Sequence, residues 1–166
     1  MKQWTILLWA LPSLVLAQQA PLKVEEMVRA LTPPPMTRSL GGTTRNLQPT
    51  LDLTIQFDLD SATIREESKK PLLDLATALK DGRLDSFKFQ VEGHTDSRGT
   101  AAYNDALSAR RAESVVSFLN SEGVMANRLV AVGKGFREPI DNVDLKAAIN
   151  RRVRICLLYT SDAADE

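Results

Sequence analysis

The chain of 166 residues has one cysteine, Cys156, and one histidine, His94. A single cysteine excludes an intrachain disulfide. Neither residue type is present in the numbers that zinc sites rich in nitrogen and sulfur use. Charge of one sign is missing too: Lys+Arg and Asp+Glu both number 21, for a formal net charge of +0. No global field therefore draws the chain to nucleic acid or to an acidic membrane. Aromatic residues make up only 5%. The one pronounced apolar run lies within the first seventeen residues and is too short to span a bilayer as a stable helix.

That run has the layout of an export signal. Met1-Lys2 gives a positive start, residues 6–16 are apolar except for Pro12 and Ser13, and Val15-Leu16-Ala17 supplies a small-x-small cleavage pattern. Cleavage after Ala17 and delivery to the periplasm are expected, with no transmembrane segment after cleavage. No cysteine stands near the cleavage point to carry a lipid.

Residues 18–49 read as a leader and linker outside the core. Val24, Met27, Val28 and Leu31 have the i, i+3, i+4, i+7 spacing of a short helix over 23–31. Thr32-Pro33-Pro34-Pro35 ends it, because proline lacks the helical donor and restricts its predecessor. The helix is either a mobile leader or a docking segment for another envelope protein.

The compact domain is expected over 50–155. Leu51, Leu53, Ile55 and Phe57 alternate with polar residues, the period of a half-buried strand. Thr63-Ile64-Arg65-Glu66 has capping-box spacing. Pro71 predicts a capped turn at 64–69 and a main helix from Lys70, whose stripe is Leu72, Leu75, Ala76 and Leu79. Phe87, Phe89 and Val91 mark a second strand. Ala112, Val115, Val116 and Leu119 mark a long helix over 101–120, closed by Gly123. Residues 129–132 and 152–155 give two more strands, with a brief helical turn over 144–150. The resulting class is α+β: β-α-β-α-β-β, a mixed four-stranded sheet with two long helices on one face. Residues 156–166 read as a tail foreign to the domain, resembling translated adapter sequence, although Cys156 to Tyr159 would fit an extension of the last strand.

The stretch Gly93-His94-Thr95-Asp96-Ser97-Arg98-Gly99 concentrates the chemistry. Glu92, His94 and Asp96 stand at i, i+2, i+4 and would share one face of a strand, a thin metal-ligand set. Gly93 makes it doubtful that the strand runs so far, and no metal or cofactor is expected. Ser97 or Ser108 with His94 and Asp96 supplies the residue types of a hydrolase. No serine sits in a nucleophile elbow, however, and neighbours on a turn rarely aim at one another. A binding site uses more of the pattern. Gly99 permits a tight turn, and the following helix directs free amides and a positive dipole toward Asp96. Leu107 and Arg111 share one face of that helix. An aspartate and a forked guanidinium held apart suit a zwitterion, one taking an ammonium and the other a carboxylate. Spacing equally allows Asp96 and Arg111 to pair with each other, and Arg110 competes with Arg111 as the inward arginine.

The run from Gly93 to Leu119 resembles the OmpA-like C-terminal domain, a family whose pattern TDxxGxxxxNxxLSxxRAxxV is met by Thr95-Asp96, Gly99, Asn104, Leu107-Ser108, Arg111-Ala112 and Val115. Phe57-Asp58, Ser61-Ala62, Gly133, Gly135, Pro139 and Asn150-Arg151-Arg152-Val153 extend the match over about 50–155. The resemblance implies a non-catalytic module that binds peptidoglycan through the meso-diaminopimelate of the stem peptide. Asp96 would meet the ammonium and Arg111 the carboxylate, while Asp60, Thr95, Asn104, Leu107 and Arg151 would line the pocket. His94 and Gly99 would shape the loop. Pro71 departs from the family's continuous helix, and neither a β-barrel nor a lipid-attachment cysteine precedes the domain. Two other functions stay open: an envelope interaction subunit without peptidoglycan affinity, and a cell-wall hydrolase.

Overall fold

Strand alternation and helical stripes converge on one core. The computed structural model describes residues 22–34, 48–58 and 60–158; the expected signal peptide and residues 35–47 and 159–166 lie outside them. The elements are α1 (Val24–Leu31), β1 (Thr50–Leu53), α2 (Glu66–Leu79), β2 (Lys88–His94), α3 (Ala101–Ser121), β3 (Leu129–Gly135) and β4 (Val153–Leu158). The sheet order is β1-β4-β2-β3. β2 and β3 run parallel, joined by the crossover through α3, while β4 is antiparallel to both β1 and β2. Leu72, Leu75 and Leu79 of α2 and Ala112, Val115 and Leu119 of α3 form one buried cluster with Phe89, Val91 and Ile155. No helix among the described residues is long and apolar enough to cross a membrane.

Glycine decides how closely α3 approaches the sheet. A Cβ on Gly93 would lie 2.2 Å from the Ser108 carbonyl oxygen, and one on Gly133 2.6 Å from the Ala109 nitrogen. Both positions therefore require glycine so that the helix backbone can rest on β2 and β3. Gly93 marks close approach and not a strand end, so β2 continues through His94 where the sequence suggested a turn. At the other end of α3, Gly123 takes φ +90° and its N–H donates to the Asn120 carbonyl, as its place in the sequence predicted.

Several expectations are corrected. The 23–31 helix is no leader outside the core: Met27, Val28 and Leu31 are buried, and α1 packs on α2 and β1. Its apolar stripe is covered by the domain itself. The helix around Pro71 is continuous from Glu66, without a break at Lys70. Pro71 is the sixth residue of the helix, so only the bond to the Glu67 carbonyl is lost. Thr63 does not cap α2. The N-cap is Arg65, which makes no side-chain cap bond, and the Thr63 hydroxyl accepts from Ser61. Cys156 to Leu158 complete β4, the strand extension that the sequence also allowed. Leu157 is fully buried opposite Phe89, and its N–H donates to the Pro49 carbonyl.

Arg128 ties the base of the fold together. Its buried guanidinium donates to the carbonyls of Phe87, Leu79 and Leu84 at 3.0, 2.8 and 2.6 Å. These include the open C-terminal end of α2, where such donors are otherwise missing.

Candidate functional site

The site lies where β2 hands the chain to α3. After His94 the Thr95 N–H donates to the Gly135 carbonyl at 2.8 Å, which holds the loop root against β3. Asp96 then bends the chain, its Oδ1 accepting from the Arg98 N–H two residues on at 3.1 Å, the local bond that makes aspartate a turn former. Gly99 takes φ +87°, a left-handed conformation that other residues adopt only with strain. Thr100 caps α3, its Oγ1 accepting from the Tyr103 N–H at 3.2 Å. Asn104, buried, donates from Nδ2 to the carbonyls of Arg98 and Thr100 at 2.7 and 3.2 Å. The loop is thus fastened to the first turn of the helix that follows it.

A cleft of about 350 Å³ opens beside this loop, lined by Asp60, Thr95, Asp96, Asn104, Leu107, Arg111 and Arg151 together with Phe57, Asp58, Arg98 and Tyr103. All seven residues expected to form the pocket therefore meet in one cavity. His94 does not line it: its ring lies near Glu92, buried, while its backbone N–H donates to the Arg152 carbonyl. The four residues the sequence did not single out had weak signals. Tyr103 stands four and eight positions before Leu107 and Arg111 on the same helical face, and Phe57 ends the alternating run read from the sequence, beyond β1, where it bridges to Ile64.

The charges are arranged unequally. Asp96 is only 6% exposed, and its Oδ2 accepts from Arg151 Nη1 at 2.8 Å. Arg98 Nη1 stands farther off, at 3.8 Å. Arg111 is turned inward, with its guanidinium carbon 4.8 Å from the centre of the Phe57 ring and its Nε donating to the Ser61 carbonyl at 3.0 Å. Arg110 lines a separate open groove with Glu113, Ser114 and Ser117. Burial lowers the Arg111 pKa from its ordinary value, and the Tyr103 hydroxyl opposes that; a guanidinium nonetheless stays charged in a protein. Arg111 has no carboxylate at ion-pair distance among the described residues. Asp60, at φ +52°, accepts from the Tyr103 hydroxyl, and this bond, ahead of burial, raises the phenol pKa and keeps it a donor.

The other chemistries suggested by the loop are not assembled. Ser108 is fully buried, donating to the Asp105 carbonyl and accepting from the Gly135 N–H, both at 2.9 Å. Neither His94 ring nitrogen has a hydrogen-bond partner among the described residues, so neither Ser97 nor Ser108 is bonded to it. Asp96 is engaged by Arg98 and Arg151 inside the cleft and does not join the Glu92–His94 pair.

Comparison with known proteins agrees with the resemblance read from the loop. The chain is 43% identical over 106 residues to outer membrane porin F of Pseudomonas aeruginosa, covering 62% of this chain and 30% of that protein. It is 42% identical over 86 residues to the peptidoglycan-associated lipoprotein of Agrobacterium fabrum, covering 52% and 48%. The chain thus spans half or less of the length of these curated relatives. Among solved structures, the peptidoglycan-associated lipoprotein from Burkholderia pseudomallei superposes with a TM-score of 0.55 and 31% identity, over 63% of this chain and 88% of that one. The model of the OmpA family matches residues 56–152, more than half of the sequence, and the chain belongs to that family.

Proposed function

We propose that the domain binds peptidoglycan noncovalently and without catalysis, in the periplasm of a Gram-negative bacterium, by gripping the meso-diaminopimelate of the stem peptide. The observation that carries this is Arg111, without an ion-pair partner among the described residues, beside the buried Asp96. A half-buried guanidinium without a counter-ion is a receptor for a carboxylate, and its planar fork binds one through two parallel hydrogen bonds. Asp96, fixed at both oxygens, supplies the opposite charge in the same cleft. A ligand bearing an ammonium and a carboxylate on one carbon matches that pair. Leu107 gives the cleft an apolar wall for a methylene chain, and Tyr103 and Asp60 add polar groups at its mouth. The relatives named for peptidoglycan association and for the outer membrane support the same envelope role. The positive start and apolar run before Ala17 support export.

Sedimentation with purified sacculi tests the proposal. The wild-type chain is expected to pellet with them, and Asp96→Ala and Arg111→Ala to stay in the supernatant while keeping the wild-type circular dichroism spectrum. Undiminished pelleting of both variants would refute the site.

A further inference from the structure

We propose that the sheet face turned away from the helices carries a site for a divalent transition cation of the zinc class, held by His94, Glu92 and Glu138. Gly93 faces α3, as the 2.2 Å approach of Ser108 requires, so its neighbours Glu92 and His94 project from the opposite face of β2. The site is separate from the binding cleft and does not depend on the function proposed for it.

The observation that points to a ligand is His94 itself. The chain's single histidine is 2% exposed, and neither Nδ1 nor Nε2 has a hydrogen-bond partner among the described residues. Buried polar atoms are normally satisfied, and a neutral imidazole nitrogen is the commonest metal ligand. Nε2 lies 3.4 Å from Glu92 Oε2, and one ligand atom from each of Glu92, His94 and Glu138 falls within 4.8 Å of the others. One imidazole with two carboxylates is a donor set that zinc, manganese and iron accept, with water completing the shell.

The chain supplies its own cation to this cluster. β3 opposes His94 with an extra residue, the register passing from Gly93↔Gly133 to His94↔Gly135. The residue left over is Lys134, whose Nζ lies 3.1 Å from both Glu92 Oε1 and Glu138 Oε1. Arg154 stands farther off, 3.7 Å from Glu138 Oε2. The Lys134 side chain is 29% exposed and that of Glu138 45%, so the ammonium has a path to solvent on a flexible stem. A divalent ion entering beside Glu138 displaces it, meets His94 behind it, and joins β2 to the segment that follows β3.

The test is isothermal titration of the full chain, made without a histidine tag and stripped with chelator, using zinc chloride alone. The imidazole 15N signals of His94 are followed by NMR, and no other histidine overlaps them. One zinc per chain is expected to bind saturably at micromolar concentration and to shift the His94 signals. Lys134→Gln is expected to bind at least about tenfold tighter, and Glu138→Gln at least about tenfold weaker. Glu138 is exposed enough for its variant to fold, so the test does not depend on a His94 variant. No saturable zinc on the wild-type chain overturns the site, whatever Lys134→Gln does. Binding that leaves the His94 signals in place, or that Glu138→Gln does not weaken, overturns it equally.

Discussion

Arg151 donates from Nη1 to Asp96 Oδ2 at 2.8 Å across 55 positions of sequence, while Arg111, in the same cleft, has no carboxylate at ion-pair distance among the described residues. Spacing alone made an Asp96–Arg111 pair equally plausible. The difference bears on the proposed binding, because a guanidinium already paired with a carboxylate offers little to a second one. Arg151 orients the buried aspartate, whose remaining lone pairs stay open to an ammonium, and the fork of Arg111 is claimed by no carboxylate among the described residues.

The roles of the two cleft arginines are therefore expected to differ. Asp96→Asn keeps the shape, removes the charge and is predicted to weaken meso-diaminopimelate at least tenfold, about 1.4 kcal/mol. Arg151→Ala is predicted to weaken it less, because the Arg98 N–H still orients Asp96 through Oδ1. NMR titration of both variants checks this. An Arg151 variant as impaired as Asp96→Asn would show that Arg151 touches the ligand as strongly as Asp96 does.

The packing of α1 predicts that the N-terminal helix is needed for stability. Met27→Ala and Leu31→Ala each remove a buried side chain and are expected to destabilise by about 2–5 kcal/mol in urea unfolding. Unchanged midpoints would restore the picture of a mobile leader.

Gly93→Ala and Gly133→Ala test the contact of α3 with the sheet. The added methyl meets helix backbone, which has no rotamer with which to yield. A loss of about 1–3 kcal/mol or more is expected in each case. Gly82→Ala, whose new Cβ would meet nothing nearer than 4.0 Å, is the control and is expected to leave the midpoint nearly unchanged.

Removing the Arg128 guanidinium takes one donor from each of the carbonyls of Leu79, Leu84 and Phe87, of which Leu84 keeps the Phe87 N–H. Arg128→Met is predicted to cost at least about 2 kcal/mol. Arg128→Lys should not restore the loss, because a single ammonium cannot reproduce the fork that spans three carbonyls. Denaturant midpoints of the two variants read this directly.

Cys156 gives a pH signature. Burial, reinforced by the Glu92 carboxylate, pushes its thiol pKa up from 9.0 to about 12. A group whose pKa is raised on folding contributes stability that is complete below its unfolded pKa and is lost as pH rises through its folded one. Stability should thus fall between pH 9 and 12 more steeply in the wild type than in Cys156→Ala. At pH 8 the native thiol should resist alkylation and the unfolded thiol react. Rapid labelling of the native chain would contradict both expectations.

Much of the architecture was legible because the strongest signals are periodic. The alternation of Leu51, Leu53 and Ile55 and the stripe of Ala112, Val115 and Leu119 name buried faces whatever lies opposite them. The misreadings share one cause: a residue's local tendency was overruled by contacts distant in sequence. Gly93 looks like a strand end and is instead the floor beneath Ser108. Met27, Val28 and Leu31 look like an isolated amphipathic turn until α2 and β1 cover them. The cleft's membership followed from the family pattern, but its pairing did not. Which arginine meets Asp96 depends on where β4 begins relative to the loop, and no spacing within Gly93 to Leu119 encodes that.

The central claim is that Arg111 reads the carboxylate of a zwitterion anchored at Asp96. Lysine with its α-amino group acetylated and its α-carboxyl amidated carries a side-chain ammonium but no zwitterionic carbon, whereas meso-diaminopimelate blocked in the same way at one centre keeps an ammonium and a carboxylate on the other. Titration of these two blocked amino acids against the wild-type chain and Arg111→Ala, followed by the amide signals of Asp96 and Gly99, tests the claim most directly. The wild type is predicted to prefer meso-diaminopimelate by at least tenfold, and Arg111→Ala to bind the two alike. A preference that survives intact in Arg111→Ala would contradict the account.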